Sequence, residues 1–340
     1  MCCFMKKNIL FASCFLLNLS LFAQLNEPKD VLENVKVLDS YLYKVYDVET
    51  KKDKVVFFKK ERTIARSWFE YDAKGNNVLI NYYQPANNQV QESFVYEYDS
   101  NNQKTLELYI LQGKIQGRKT VYAYDKQGRK SLVEVYSEKG ELKDRVAFEY
   151  DSIGNLIVEK SVNTVFAVYR EIHYKYDERN NQIEKRNLKT FLPANEPYLE
   201  IQTFDSLNRL IGRTHYDAKD SFVWEYTAAY DAKNRLIEEQ TMNHRGKVTS
   251  YAKYTYNKKD KMSSSYNFDI VQKIPPMRIE YKYDRKGLNI LRYIYVQKAE
   301  TPTITKRYYY DAKGNWYMWL ETNHNDNMQA IASRKITYFE

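Results

Sequence analysis

Side chains that commonly carry catalysis or bind metal ions are few in this chain of 340 residues. No Gly-x-Ser-x-Gly elbow, His-Glu-x-x-His pair or glycine-rich phosphate loop occurs in the sequence. Two facing carboxylates could hydrolyse a glycosidic bond, but no spacing of Asp or Glu residues points to such a pair. We therefore expect no enzymatic activity and no cofactor, with a glycosidase-like activity as the residual alternative. We expect no metal site from the four histidines, which are His173, His215, His244 and His324.

The four tryptophans offer a second kind of chemistry, because flat aromatic rings can stack on sugars. Trp224 is in phase with Tyr230 along an alternating segment, which favours a core position for its ring. Trp68 has the opposite phase to the aromatic residues that follow it, which favours exposure. Trp316 and Trp319 occupy an even and an odd position, which an alternating strand places on opposite faces. One of them is therefore expected to cover the end of the sheet. The candidate sugar-stacking residues are Trp68, Trp316 and Trp319.

Basic residues recur along the chain at intervals of 26–28 residues or multiples of them, with Arg129 lying two positions later in its repeat than the others. Stacked in register, they would form a ridge that binds polyanions such as lipopolysaccharide cores, acidic polysaccharide or extracellular DNA. The affinity of such contacts falls steeply as salt rises. Lysine is also common in exposed turns, and adjacent Asp residues neutralise part of the charge, so ordinary solvated turns are the alternative interpretation. The candidate polyanion-binding residues are Lys74, Arg129, Arg179, Lys233, Lys259, Lys286 and Lys313.

A short motif, called the turn motif below, explains this spacing and organises the rest of the chain. Its clearest copy is Tyr310-Asp311-Ala312-Lys313-Gly314-Asn315, and successive copies begin 26–28 residues apart. A fixed period in this range indicates a repeat array in which each unit packs on its neighbours. The other copies begin at Tyr71, Tyr98, Tyr124, Tyr150, Tyr176, Phe204, Tyr230, Tyr256 and Tyr283.

Each turn motif is predicted to close a β-hairpin. Before it, aromatic residues alternate with small or charged ones, as in Tyr122-Ala123-Tyr124, which is typical of a half-buried strand. The Asp is expected to accept backbone N–H groups, and the residue three positions later is Gly, Asn or Asp in all ten copies. These residue types tolerate the positive φ of a type I turn closed by a left-handed residue. A second, variable turn, such as Gln112-Gly113-Lys114, is expected at the opposite edge of the sheet.

The sequence therefore predicts an all-β fold, a long antiparallel meander of about ten to eleven β-hairpin repeats of 26–28 residues each. So many strands exceed what an open twisted sheet usually sustains, and the aromatic face must leave water. We therefore expect the sheet to curl into a spiral or a barrel-like form. An outer-membrane barrel is the competing interpretation. Charges on both faces, as in Glu184-Lys185-Arg186, argue against it, and we expect no membrane span.

The pattern Tyr-x-Tyr-Asp-x-x-Gly-Asn/Arg, found from Tyr122 to Arg129, resembles the YD repeats of RHS, insecticidal toxin-complex and teneurin proteins. The resemblance covers about residues 41–340. It implies a long antiparallel sheet that winds into a shell, and it adds a link with carbohydrate binding. Those proteins are far longer and carry core, toxin or adhesion modules. No such module is recognisable in this sequence, so the resemblance does not imply toxin encapsulation.

The first 23 residues are typical of a secretory signal peptide, with Lys6 and Lys7 before an apolar segment and Ala23 at the cleavage site. Its removal would leave Gln24 first and lower the formal net charge from +9 to +7. The three cysteines of the full sequence, Cys2, Cys3 and Cys14, all lie within this segment. The mature chain would therefore have no disulfides and no thiolate chemistry. We divide the chain into a signal peptide (1–23), an N-terminal lead-in (24–40) and a single repeat array (41–340).

These features favour an exported, non-enzymatic repeat protein that acts as a binding or scaffold surface in the cell envelope, with polyanions as candidate ligands. The alternative is a carbohydrate-binding or carbohydrate-active protein that uses exposed aromatic residues. Candidate partners are an envelope polysaccharide or another envelope protein, whereas nucleic acid is not expected as a physiological partner. The sequence leaves the choice between periplasm, outer surface and release open, together with the oligomeric state.

Overall fold

The structure is a computed structural model that describes residues 35–51, 54–165, 168–189 and 198–339. The predicted signal peptide lies outside the described residues, as do most of the lead-in and the variable turn at Pro193-Ala194-Asn195. The described chain folds into 22 β-strands joined by short turns.

The strands follow one another along the chain and are numbered in that order. They are β1 (Val35–Lys51), β2 (Lys54–Tyr71), β3 (Asn77–Tyr83), β4 (Val90–Tyr98), β5 (Lys104–Leu111), β6 (Lys114–Tyr124), β7 (Lys130–Tyr136), β8 (Leu142–Tyr150), β9 (Leu156–Asn163), β10 (Val168–Tyr176), β11 (Gln182–Lys189), β12 (Leu199–Phe204), β13 (Leu210–Tyr216), β14 (Phe222–Tyr230), β15 (Leu236–Asn243), β16 (Val248–Tyr256), β17 (Met262–Asp269), β18 (Ile274–Tyr283), β19 (Asn289–Val296), β20 (Ile304–Tyr310), β21 (Trp316–Asn323) and β22 (Gln329–Tyr338).

Each strand pairs antiparallel with the next, which confirms the predicted all-β antiparallel meander. The last strand then pairs antiparallel with the first, with Leu42 opposite Ala332 and Leu38 opposite Ile336. This β1–β22 pairing is called the seam below. Because the seam joins the two ends of the meander, the sheet closes into a β-barrel in which each of the 22 described strands has a partner on both sides.

The turn motif adopts the conformation that its residues predict. In all ten copies the Gly, Asn or Asp at the fourth position after the aromatic residue has a positive φ, between +58° and +100°. The carbonyl of the motif's first polar residue accepts a hydrogen bond from that residue, as from Gly75 N to Asp72 O at 3.0 Å. A β-bulge follows each turn and shifts the register by one residue, as between Glu97 and Tyr98. These constant turns lie together at one rim of the barrel.

The two faces of the wall differ in exposure. The aromatic residue that begins each turn motif is partly buried in all ten copies. The residue just before it points to the other face, and it is exposed in eight of the ten copies. We therefore assign the aromatic face to the inside, called the inner wall below, and the other face to the outer wall. The eight exposed residues are Glu97, Ala123, Glu149, Lys175, Thr203, Ala229, Thr255 and Lys282.

The side chains of the described strands do not form a central core that fills the interior. Twenty-two strands about 4.8 Å apart make a wall roughly 105 Å around, far larger than the eight-stranded barrels whose side chains fill the interior. The ring pairs join residues on the same strand or on neighbouring strands, as in Phe94–Tyr109. The buried hydrophobic cluster of Tyr308, Trp316 and Trp319 likewise spans adjacent strands beside the seam. Inner-wall side chains are thus packed mainly against their neighbours along the wall, and those beside the seam are the most deeply buried.

The first hairpin departs from the sequence-based expectation. Tyr46 and Asp47, which resemble a degenerate first turn motif, lie inside β1 at the edge opposite the constant turns. β1 also begins at Val35, six residues before the predicted start of the array at residue 41. Beyond Val45, which pairs with Gln329, β1 pairs only with β2. The distal parts of β1 and β2 therefore form a two-stranded ribbon that projects beyond the barrel wall.

Candidate functional site

The constant turns form a hydrogen-bonded ladder along their rim, which is shown best by the unit that begins at Tyr230. Asp231 Oδ1 accepts the backbone N–H groups of Lys233 and Arg235 at 2.9 and 3.0 Å. Arg235 Nε donates to Asp231 Oδ2 at 2.8 Å, while its Nη1 reaches Asp260 of the next turn at 2.6 Å. The guanidinium also lies 4.5 Å from the ring centroid of Tyr256. One arginine thus joins its own turn to the next one.

The ladder lowers the pKa of six motif carboxylates, those of Asp72, Asp125, Asp151, Asp177, Asp205 and Asp231. In Asp231 the hydrogen bond from the Arg235 side chain is the main cause, followed by the backbone N–H groups that stabilise the charged form. Asp205 and Asp177 show the same direction, with Arg209 and Asn181 as the side-chain donors. These six carboxylates are therefore held ionised and fixed in place by the turns, and they are not poised for acid–base chemistry.

The structure places the predicted polyanion-binding residues along the constant rim, but most of them already contact neighbouring turns. The Arg129 guanidinium pairs with Asp125 of its own turn at 2.7 Å and lies 4.6 Å from the ring centroid of Tyr150, which begins the next turn motif. Lys233 Nζ pairs with Asp260 at 2.8 Å. Lys74 and Arg179 donate to backbone carbonyls of the next turn, and the ammonium of Lys313 lies 3.6 Å from the ring centroid of Tyr338.

Two cations of the predicted ridge differ from the others. Lys259 and Lys286 are exposed on consecutive constant turns. Within the described part of the chain neither ammonium group has an ion pair. The continuous ridge expected from the sequence is therefore mostly a set of contacts between turns, with two cations left to face solvent.

The predicted sugar-stacking tryptophans occupy two different settings. Trp68 is half-buried on the outer wall, where its indole N–H donates to Glu70 at 2.8 Å. Trp316 and Trp319 are only 5% and 7% exposed. The Arg334 guanidinium lies 3.3 Å from the Trp316 ring centroid, and the Lys306 ammonium lies 3.9 Å from that of Trp319. A sugar could stack on either of these two rings only after displacing a cation.

The opposite parity of Trp316 and Trp319 does not put them on opposite faces. Trp316 pairs with Tyr310 and Trp319 pairs with Tyr308, because the bulge after the turn inserts one residue between them. Both indoles therefore lie on the inner wall. Trp224 also lies on the inner wall, where it stacks on His215.

Tyrosines and carboxylates alternate across neighbouring strands of the inner wall. Tyr122 donates to Glu107 at 3.3 Å. Glu239 accepts hydrogen bonds from both Tyr226, at 2.8 Å, and Tyr254, at 2.5 Å. Burial and the nearby Glu107 carboxylate raise the pKa of Tyr122 to about 12. These phenols therefore remain neutral hydrogen-bond donors throughout the physiological pH range.

A second group of inner-wall residues combines cations with aromatic rings next to the seam. Lys306 is 2% exposed and lies 3.8 Å from the Glu321 carboxylate. Arg292 is also buried, donates to Asn289 at 2.9 Å, and lies 4.9 Å from the Tyr308 ring centroid. Two buried cations with aromatic and polar partners explain why this part of the wall is the most tightly packed.

The histidines do not come together. His173 lies on the outer wall beside Glu171, with 2.7 Å between Nε2 and Oε1. His324 Nε2 lies 2.8 Å from Thr305 Oγ1, and His244 is exposed in a variable turn. His215 is 4% exposed on the inner wall, and burial is the main cause that lowers its pKa to about 3. Among the described residues, no three His, Cys, Asp or Glu side chains are grouped in a way that could hold a metal ion.

Across the ranges that the structure describes, no helix is long and apolar enough to cross a membrane.

Comparisons with known proteins give weak likenesses only. No family model matches the chain, and no curated protein sequence matches it. A structure of TcdB2-TccC3 is 14% identical over 84% of this chain, with a TM-score of 0.31. The same structure without its hypervariable C-terminal region gives a TM-score of 0.28 at 14% identity, over 80% of this chain and 18% of the other. A porin-like protein from Bacteroides uniformis is 8% identical over 89% of this chain and 98% of its own, with a TM-score of 0.29. The chain spans about a fifth of the length of TcdB2-TccC3, 19% in the matched region.

Proposed function

We propose that this chain is an exported, non-enzymatic barrel of ten to eleven YD-type hairpin repeats in the cell envelope, and that its inner wall binds saccharide chains. The observation that carries the proposal is a row of aromatic rings on the inner wall, half-buried except for Tyr308, which is buried. Carbohydrate binding by these aromatic residues thus becomes the leading function, ahead of polyanion binding at the constant rim.

The row consists of the aromatic residue two positions before the turn motif, which occurs in eight of the ten copies; Gln202 and Ala228 stand there in the other two. From Phe69 to Tyr174 and again from Tyr254 to Tyr308, successive members belong to every second strand, so they are about 10 Å apart along the wall. Each ring offers an apolar face, and each tyrosine adds a polar tip, a combination that suits the mixed apolar and hydroxyl surface of a sugar. The members are Phe69, Tyr96, Tyr122, Phe148, Tyr174, Tyr254, Tyr281 and Tyr308.

Hydrogen-bonding groups lie between these rings. Glu107 is placed between Tyr96 and Tyr122, and Lys104 lies 4.3 Å from the Tyr96 ring centroid. The Glu107 carboxylate therefore accepts from a phenol and keeps lone pairs for a ligand hydroxyl. A polar polymer could be held at several units in succession, which raises the overall affinity without any tight single contact.

The proposal is tested by screening protein that begins at Gln24 against a panel of envelope polysaccharides, with Tyr96→Ala and Tyr96→Phe as variants. We expect wild-type protein and Tyr96→Phe to bind at least one polysaccharide, and Tyr96→Ala to bind it more weakly because the ring is lost. Tyr266→Ala is the matched control, since Tyr266 is a 38% exposed tyrosine on the outer wall. Binding that Tyr266→Ala weakens as much as Tyr96→Ala does would contradict an inner-wall site.

Polyanion binding at the constant rim is the second candidate, and it now depends on Lys259 and Lys286. The double variant to Gln should weaken heparin binding, most clearly at low salt, if these two cations form the site. Lys51 and Lys54 changed to Gln give the matched control, because the same charge is removed from the opposite rim. Equal heparin binding by the two double variants would show that Lys259 and Lys286 are ordinary solvated turn residues and not a binding site.

Export is part of the same proposal, and the apolar segment before Ala23 supports it. Mass spectrometry of the mature protein should find Gln24 as the first residue. A retained Met1 or Met5, or a lipid on Cys14, would show that the predicted signal peptide is not cleaved in this way.

A further inference from the structure

A cavity of about 410 Å³ lies at the foot of the projecting ribbon, away from the inner wall. One side is formed by Tyr41 on β1 and by Lys60, Thr63 and Arg66 on β2. The other side is the variable turn that joins β3 to β4, residues 84–88. The cavity thus lies between the projecting ribbon of β1 and β2 and the variable turn at residues 84–88.

The Arg66 guanidinium is held in a fixed orientation at the base of the cavity. Asp39 accepts from its Nε at 3.0 Å and from its Nη2 at 3.1 Å. The guanidinium carbon lies 5.0 Å from the ring centroid of Tyr41 and 4.3 Å from that of Tyr83. Both side chains of the ion pair are largely buried, with 15% of Arg66 and 10% of Asp39 exposed. Arg66 is therefore pre-organised and needs little further ordering to meet a ligand.

The variable turn opposite is also fixed. Asn88 has a φ of +59°, and its Oδ1 accepts from Arg66 Nη1 at 2.9 Å. Asn87 Oδ1 accepts the backbone N–H of Gln89 at 3.1 Å, which shapes the turn. The turn thus presents amide side chains to the cavity from a backbone that is tied to Arg66.

The charge of the lining is positive. Lys60 and Arg66 supply two cations, and none of the lining residues is acidic. Asp39 neutralises Arg66, whereas the Lys60 ammonium contacts the Tyr43 ring, at 5.1 Å from its centroid. Within the described chain Lys60 has no ion-pair partner, so its charge is available to a bound anion.

We propose that this cavity binds an anionic sugar residue, one that carries a carboxylate or a sulfate group beside its hydroxyls. Lys60 would meet the anionic group, and Thr63 and Asn87 would bond the hydroxyls of the sugar, with the Tyr41 ring closing one side of the cavity. This site is separate from the inner wall and does not depend on saccharide binding there.

The test is calorimetric titration of protein that begins at Gln24 with three probes, glucuronate, glucose 6-sulfate and glucose. At least one anionic sugar should bind saturably, with glucose about tenfold weaker or more. Lys60→Gln should weaken that binding about fivefold or more, and Lys54→Gln, which removes the same charge further along the ribbon, should leave it unchanged. Tyr96→Ala should also leave it unchanged, because that residue belongs to the inner wall.

Binding of glucuronate alone or of the sulfate ester alone identifies which anionic group the cavity takes, and either result supports the proposal. Three outcomes would overturn it. These are no saturable binding of either anionic sugar by wild-type protein, glucose binding as tight as that of the anionic sugars, and equal losses in Lys60→Gln and Lys54→Gln. Both lysines are exposed, so neither variant is expected to impair folding.

Discussion

The Tyr150 hydroxyl donates a 2.7 Å hydrogen bond to the backbone carbonyl of Lys130, 20 residues earlier in the chain. Tyr150 ends β8 and begins a turn motif, whereas Lys130 is the first residue of β7. Seven other motif tyrosines make the same bond to the first residue of the preceding strand, at 2.7–3.1 Å. The recurring phenol therefore connects eight of the units to the ones before them. The seven pairs are Tyr98–Asn77, Tyr124–Lys104, Tyr176–Leu156, Tyr230–Leu210, Tyr256–Leu236, Tyr283–Met262 and Tyr310–Asn289.

Removing this hydroxyl should destabilise the barrel. Tyr150→Phe keeps the ring and loses one hydrogen bond to a partly buried carbonyl, so we expect the free energy of unfolding to fall by about 1 kcal/mol. The sixth copy of the motif offers the reverse experiment, because Phe204 stands where the others have Tyr. Phe204→Tyr should raise the stability by a similar amount by reaching the carbonyl of Gln182. Urea titrations of both variants check this, and unchanged midpoints in both would show that the phenol has no role between repeats.

The left-handed turn position should discriminate between residues by backbone strain alone. Gly75 has a φ of +83°, and an added Cβ would meet no atom within 4 Å. Gly75→Val should therefore lower the free energy of unfolding by about 1–2 kcal/mol, because valine is strained at a positive φ. Gly75→Asn should lower it markedly less. Thermal unfolding of the two variants provides the measurement. Equal melting temperatures would mean that the turn does not require a left-handed residue.

The features that depend only on residues within one repeat could be predicted from the sequence. Positive φ at ten turn positions, the alternation of Tyr122 with Ala123, and the antiparallel order of the strands all follow from turn chemistry and period-two patterning. These depend on residues within a few positions of one another. The placement of Trp224 on the same face as Tyr230 was predictable for the same reason.

Features set by contacts between units were not predictable. Nothing in Val35 to Ser40 resembles the repeat, yet this segment pairs with β22 and closes the barrel. Alternation of odd and even positions predicted opposite faces for Trp316 and Trp319. This prediction failed because the bulge adds one residue between them. The pairing of Lys233 with Asp260, 27 residues later, depends on how successive turns stack. A signal for the last contact was available, because acidic and basic residues recur at neighbouring turn positions.

His215 should make stability depend on pH below its usual titration range. Its folded pKa is lowered to about 3, mainly by burial, with the nearby cations Arg213 and Lys185 adding to the effect. The unfolded chain binds a proton below about pH 6.5 while the folded chain does not, so stability is lost as the pH falls from there towards 3. Replacement by Phe should remove about 2 kcal/mol of this loss at pH 5. Urea unfolding of His215→Phe at pH 5 and 7.5 measures it, with the exposed His244→Gln as control. Parallel behaviour of wild type and His215→Phe would show that His215 titrates normally.

The inner-wall tyrosines predict a loss of stability in alkali. Burial, with Glu107 as the next cause, raises the pKa of Tyr96 to about 12. An unfolded tyrosine ionises near pH 10, so between pH 10 and 12 the folded state holds more protons and stability falls as the pH rises. The urea midpoint should therefore decline above pH 10, and less steeply in Tyr96→Phe. The absorbance of tyrosinate can be followed in the folded protein as the pH rises. If all tyrosines ionise together near pH 10, the inner-wall tyrosines are not protected from ionisation.

Closure of the sheet creates the inner wall, and a disulfide across the seam tests it most directly. Leu42 and Ala332 are directly paired, and paired antiparallel residues have Cα atoms about 4.5–5.5 Å apart, within the reach of a disulfide. Protein that begins at Gln24 has no cysteine of its own, so Leu42→Cys/Ala332→Cys contains a single possible pair. After mild oxidation, mass spectrometry should find an intramolecular disulfide in this variant and none in the control Leu42→Cys/Ala147→Cys, whose second site lies on β8. If the seam pair stays reduced or links only different molecules, the barrel is not closed.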